Sequence, residues 1–107
     1  MAQSALVVLT TLATEQDARA LVTALVADRL VACGTLLPGA RSIYRWEGKV
    51  TEEGEVVVLL KTDASKWSAL CAAVRAKHPY RVPELLALPV ERGLDLYLSW
   101  LASEVAG

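Results

Sequence analysis

Residues 42–49 read Ser42-Ile43-Tyr44-Arg45-Trp46-Glu47-Gly48-Lys49, and what this octapeptide does to the chain's direction governs the segments on either side. Ile43 alternates with Tyr44, and Arg45 with Trp46, which suits an extended strand whose two faces are used differently. Glu47-Gly48-Lys49 is a reversal, with Gly48 free to take a positive φ. Before the octapeptide, an extended pattern runs from Val31 to Leu37 and is broken by Pro38-Gly39 as a bulge or bend. After it, the chain returns through Thr51-Glu52-Glu53-Gly54 into Val56-Val57-Val58-Leu59-Leu60. The two strands form one long hairpin.

Outward from the hairpin, Leu6-Val7-Val8-Leu9 is a short apolar run that reads as a buried strand. Thr14 offers an N-cap, with Glu15 and Asp17 in the first helical turn. Ala18, Leu21, Val22, Leu25 and Val26 then repeat as one face of an amphipathic helix. Beyond the hairpin, Asp63 or Ser65 caps a second helix with Trp67, Leu70, Cys71 and Val74 at i, i+3, i+4 and i+7. Lys77 and His78 close it and Pro79 stops it. Residues 85–90 read as a strand at or near an edge, because Pro89 interrupts it. A closing helix carries Leu94, Tyr97, Leu98 and Leu101. The order β-α-β-β-α-β plus a terminal helix is an α+β, ferredoxin-like sandwich forming a single domain over residues 1–107. Helices cover one face of such a sheet. The central strands are nevertheless apolar without alternation, as strands buried on both faces are. Self-association through the sheet and the hairpin is the physical answer.

Composition agrees. The hydrophobic share of 54% is high for 107 residues, and Lys+Arg 11 against Asp+Glu 12 leaves no basic excess for nucleic-acid phosphates. Cys33 and Cys71 match neither a zinc ribbon nor a redox pair, so they are expected to be buried, reduced thiols. Met1-Ala2-Gln3-Ser4-Ala5 lacks the basic residues that open a secretory leader, and no apolar run approaches the roughly 20 residues that span a bilayer. The expected location is cytoplasmic, with no membrane or nucleic-acid partner.

Five segments in register carry a family resemblance: Leu30-Val31-Ala32-Cys33, residues 42–49, Lys61-Thr62, His78-Pro79-Tyr80-Arg81-Val82-Pro83-Glu84 and Tyr97-Leu98-Ser99-Trp100-Leu101. Together they resemble the CutA family of divalent-cation tolerance proteins. The resemblance implies a ferredoxin-like fold, a homotrimer built like the PII signalling proteins, and tolerance of divalent metals, copper above all. By similarity, His78 and Glu84 fall on proposed metal-ligand positions. Some members carry a cysteine just after the first strand. This chain has Thr10 there, a poorer ligand for soft copper.

Each candidate residue has a second reading. His78 either bonds the last carbonyls of its helix or offers an imidazole to Cu²⁺ or another divalent ion, with Glu84 nearby. The two are compatible only if one ring nitrogen stays free. Tyr44 and Trp46 are expected at the trimer interface. Arg45, Lys61, Tyr80 and Trp100 are candidates for lining a cleft between subunits that holds a small effector. Glu47, Glu52, Glu53 and Glu55 read either as a solvated acidic loop or as a patch that gathers divalent cations loosely. No nucleophile is placed beside the single histidine, and no glycine-rich phosphate loop occurs, so the chain reads as a non-enzyme without an organic cofactor. The function expected is divalent-ion tolerance by weak metal binding. The alternative is a PII-like module that binds an effector or a partner protein.

Overall fold

Thr14 is extended at φ −133°, and its Oγ1 accepts the Asp17 N–H at 3.1 Å, which starts the first helix where its residue type predicts. The computed structural model describes residues 4–107, so Met1-Ala2-Gln3 of the N-terminal reading lie outside the described residues. Strand β1 spans Ala5–Leu12, helix α1 Glu15–Ala27, β2 Cys33–Trp46, β3 Lys49–Asp63, α2 Trp67–Lys77, β4 Leu86–Pro89 and α3 Asp95–Val105. A single 3₁₀ turn, Ala64–Lys66, leads into α2, and it is this turn that Asp63 caps, accepting the Ser65 N–H at 2.9 Å. The sheet is antiparallel in the order β2-β3-β1-β4, the split βαβ arrangement. Pro89 sits on edge strand β4.

The reversal is tighter than a three-residue loop. Trp46 pairs with Lys49, leaving Glu47 and Gly48 at φ 49° and 82°, the two positive values of a type I′ turn. The bulge falls between Leu37 and Ala40, at Pro38-Gly39. Because β1 pairs with β3 only between residues 56 and 63, residues 40–55 project beyond the sheet as a two-stranded arm. The molecule is accordingly long, 46 × 25 × 23 Å.

Alternation along β1 and β3 sorts the sheet into two faces. Val8, Leu12, Val56, Val58 and Leu60 face α1 and α2 and join Leu21, Leu25, Leu70 and Val74 in one core. Gly34 lets α1 approach β2 closely, since a Cβ there would meet Val22 Cγ1 at 2.7 Å. Val26, predicted on the buried face of α1, is largely outside the core. The opposite face carries Val7, Leu9, Val57 and Leu59, with Leu37, Leu86 and Leu88 exposed beside them. Only one end of this side is covered, where Leu101 and Val105 of α3 pack on Ala5 and Ala32. Helix α3 therefore seals with Leu101 and Val105. Leu94 is an extended cap residue 73% exposed, and Tyr97 turns its hydroxyl toward Cys33 Sγ at 3.7 Å. Both thiols are free and half-buried, so the expectation of fully buried cysteines is corrected.

Thr10 lies within β1 and not after it, on the core face, where it is fully buried and its Oγ1 has no partner. Among the described residues, no helix is long and apolar enough to cross a membrane.

Candidate functional site

Helix α2 stops at His78, whose backbone N–H still reaches Val74 O at 2.8 Å while its own conformation is already extended. Pro79 then prevents continuation. The imidazole is buried. Its Nε2 lies 2.8 Å from the Thr11 carbonyl oxygen, which can only accept, so Nε2 carries the proton. Nδ1 in turn accepts the Tyr80 N–H at 3.0 Å. Both nitrogens of a neutral ring are thus used, one to tie α2 to the end of β1 and one to shape the turn. The condition for ligation, a free ring nitrogen, is not met in this arrangement.

The turn delivers Tyr80 to the sheet. Its ring packs 4.7 Å from the His78 ring, and its hydroxyl donates to Glu55 Oε2 at 2.7 Å. Burial, and then this bond to a carboxylate, raises the phenol's pKa above its ordinary value. Tyr44 makes a matching bond to Glu53, which holds its pKa up as well. Ser42, Tyr44 and Trp46 share one face of the arm with Glu53 and Glu55, and that face continues the uncovered side of the sheet. With Thr11, Arg81, Val82 and Glu84, these residues line a cleft of about 600 Å³. That is a volume suited to a small ligand.

The predicted residues divide. Tyr44, Trp46, Tyr80 and Glu84 come together around this cleft. Arg45 points to the opposite face of the arm, the face that also carries Arg41 and Glu52, which pair at 3.1 Å. Lys61 lies toward the other end of β3, where its Nζ donates to Thr35 Oγ1 at 3.0 Å. Trp100 sits on the outer side of α3 with its ring 5.6 Å from that of Tyr97. Within one protomer, Arg45, Lys61 and Trp100 do not reach the cleft.

Glu53 and Glu55 are what the sequence reading missed. The acidic loop is in fact strand, so alternation puts Glu53 and Glu55 on the cleft side and Glu52 on the other. Glu55 is only 9% exposed. Continuing the strand of residues 56–60 back to residue 53, with successive side chains on opposite faces, would have found both. Among the described residues, no group of three or more His, Cys, Asp or Glu side chains is spaced to hold a metal ion.

The fold has counterparts in known proteins. The sequence pattern of the CutA1 divalent ion tolerance protein family matches residues 6–104. The chain belongs to this family. It is 50% identical over 97 residues to the divalent-cation tolerance protein CutA of Citrobacter koseri, covering 91% of this chain and 84% of that one. The divalent cation tolerance protein (Cut A1) from Thermus thermophilus superposes with a TM-score of 0.91 at 45% identity, covering 94% of this chain and 97% of the other. CutA from Xylella fastidiosa superposes with a TM-score of 0.94 at 39% identity, covering 96% and 99%. The CutA1 fold here presents an aromatic and acidic cleft on an uncovered sheet face.

Proposed function

We propose that this CutA1-family protein serves divalent-cation tolerance in the cytoplasm as a homotrimer whose neighbouring subunits complete the Tyr80 cleft. The supporting observation is that the cleft opens along the same sheet face that leaves Leu86 and Leu88 more than half exposed. A second subunit on that face would bury apolar surface and bring further side chains to the cleft, Lys61 and Trp100 among the candidates. Tyr44 and Trp46 would lie at the junction. The relatives' names support the link to divalent cations.

Copper or another divalent ion would bind weakly. Glu84 is the protomer's available member of the predicted ligand pair. His78 joins it only if Nδ1 gives up the Tyr80 N–H, so subunits must pool ligands. The test is the thermal midpoint of the purified protein with and without Cu²⁺, for wild type and Glu84→Gln. Both thiols are blocked beforehand, because copper oxidises them. A rise in wild type that Glu84→Gln loses supports the site. A midpoint unmoved by excess ion removes it and favours the second reading, a PII-like module holding a small effector or partner. The three aromatic rings along the cleft favour that reading.

A further inference from the structure

On the helix side of the molecule, a second groove of about 500 Å³ lies between α2 and the loop that follows His78. Trp67, Cys71, Val74 and Arg75 are spaced i, i+4, i+7 and i+8, so one stripe of α2 forms one wall. Arg81 and Leu85 belong to the other wall. Trp67, Cys71 and Leu85 are half-buried and give the groove an apolar wall, with Val74 fully buried beneath it. No acidic residue lines the groove. Among the described residues, ion pairs form at Arg19, Arg41 and Arg92, and Arg29 bonds the Glu104 carbonyl oxygen. Arg75 and Arg81 have neither kind of partner. Two unpaired guanidiniums thus flank an apolar slot in a chain whose net charge is −1.

The geometry points to this groove as a binding site for a small amphiphilic carboxylate, an aliphatic or aryl acid. The guanidinium fork of Arg75 or Arg81 takes the carboxylate, and the tail lies on Trp67, Val82 and Leu85. Guanidinium is the side chain suited to bidentate capture of a carboxylate. The apolar interior distinguishes this ligand from a bare phosphate, which would leave the wall unused. The site is separate from the Tyr80 cleft except at Arg81 and Val82, which line both. It does not depend on the ion-tolerance reading.

Equilibrium dialysis of labelled octanoate against the full chain tests it, with octylammonium, octanol and inorganic phosphate as comparison probes. The expected result is saturable binding of octanoate only, weakened about tenfold by Arg75→Ala or by Arg81→Ala, whichever holds the carboxylate, the loss typical of a charge-assisted bond. Both arginines are exposed, and circular dichroism checks that each variant is folded. Absence of saturable octanoate binding overturns the proposal. So does equal binding of octanol or phosphate, or binding that neither variant changes.

Discussion

The two faces of the sheet are made from the same strands and nearly the same residue types, yet their circumstances are opposite. On the helix side, Val8, Leu12, Val58 and Leu60 are fully buried, packed by α1 and α2. On the other side, Val7, Leu9, Val57 and Leu59 are only partly covered, and Leu86 and Leu88 are 58% and 56% exposed. A monomer rarely leaves so continuous an apolar strip to water. The first face therefore stabilises the protomer, and the second is the surface that assembly can use. The cleft residues belong to the second face, so the proposed site and the proposed assembly surface are one.

The comparison is tested hardest at adjacent residues. Leu60→Ala, on the closed face, should cost about 2–5 kcal/mol in urea unfolding, the loss of a buried leucine plus its cavity. Leu59→Ala, one residue away, should cost little in the isolated protomer and show its effect in assembly, as a stability that depends on protein concentration. Leu88→Glu should leave helix content intact and yield a monomer in sedimentation equilibrium. An oligomer unchanged by Leu88→Glu would break the division of labour between the faces.

His78 is the next largest lever, because it ties the helix layer to the end of β1 beside the cleft. His78→Ala strands the Thr11 carbonyl and the Tyr80 N–H, two groups that the ring now satisfies. The expected cost is about 2–3 kcal/mol in denaturant. Tyr80 should also loosen from Glu55, so the phenol's raised pKa should fall toward the ordinary range in ultraviolet titration. A variant as stable as wild type would mean that the ring is not a structural tie, and would reopen it as a ligand.

How much of this was legible in the sequence follows from what each residue answers to. The helices, the hairpin and the bulge depend on local rules: Thr14 as a cap, Gly48 at positive φ, Pro38-Gly39 in a strand. Local rules are written in neighbouring residues. The cleft was half legible, since the segment from His78 to Glu84 stands out by its prolines and lone histidine. The bond from Tyr80 to Glu55 joins residues 25 positions apart, and only the register of β3 decides that Glu55 faces Tyr80. Reading Glu52, Glu53 and Glu55 as a solvated acidic loop lost that register. The fate of the His78 nitrogens was equally hidden, because Thr11 lies 67 positions away.

A smaller effect sharpens the closed face. Thr10 is its one flaw, a fully buried hydroxyl without a partner opposite Val58. Thr10→Val keeps the shape and removes the orphan, so it should raise stability by about 1 kcal/mol, read as a higher urea midpoint. No gain would mean that the hydroxyl is satisfied, and the closed face would then have no flaw to repair.

The smallest effect expected is on pH dependence, and it belongs to the uncovered side. Asp63 continues the alternation of Glu55, Val57 and Leu59. Burial pushes its pKa up, but the bonds from Ser4 and Ser65 outweigh this and leave it lowered. A lowered carboxyl pKa adds stability that is present above the unfolded value, about 3.9, and is lost as pH falls through the folded one. Tyr80 and Tyr44 act with the opposite sign. Their raised values add stability that is full below about pH 10 and lost as pH rises through the folded pKa. Asp63→Asn should therefore flatten only the acid limb of a stability-against-pH curve, and Tyr80→Phe only the alkaline limb. The fully buried strand side chains of the closed face, Val8, Leu12, Val58, Leu60 and Thr10, carry no titrating group, so Thr10→Val should shift the whole curve without changing its shape. If Thr10→Val bends the curve, or Tyr80→Phe moves the acid limb, the two faces are coupled through the sheet and cannot be treated as independent surfaces.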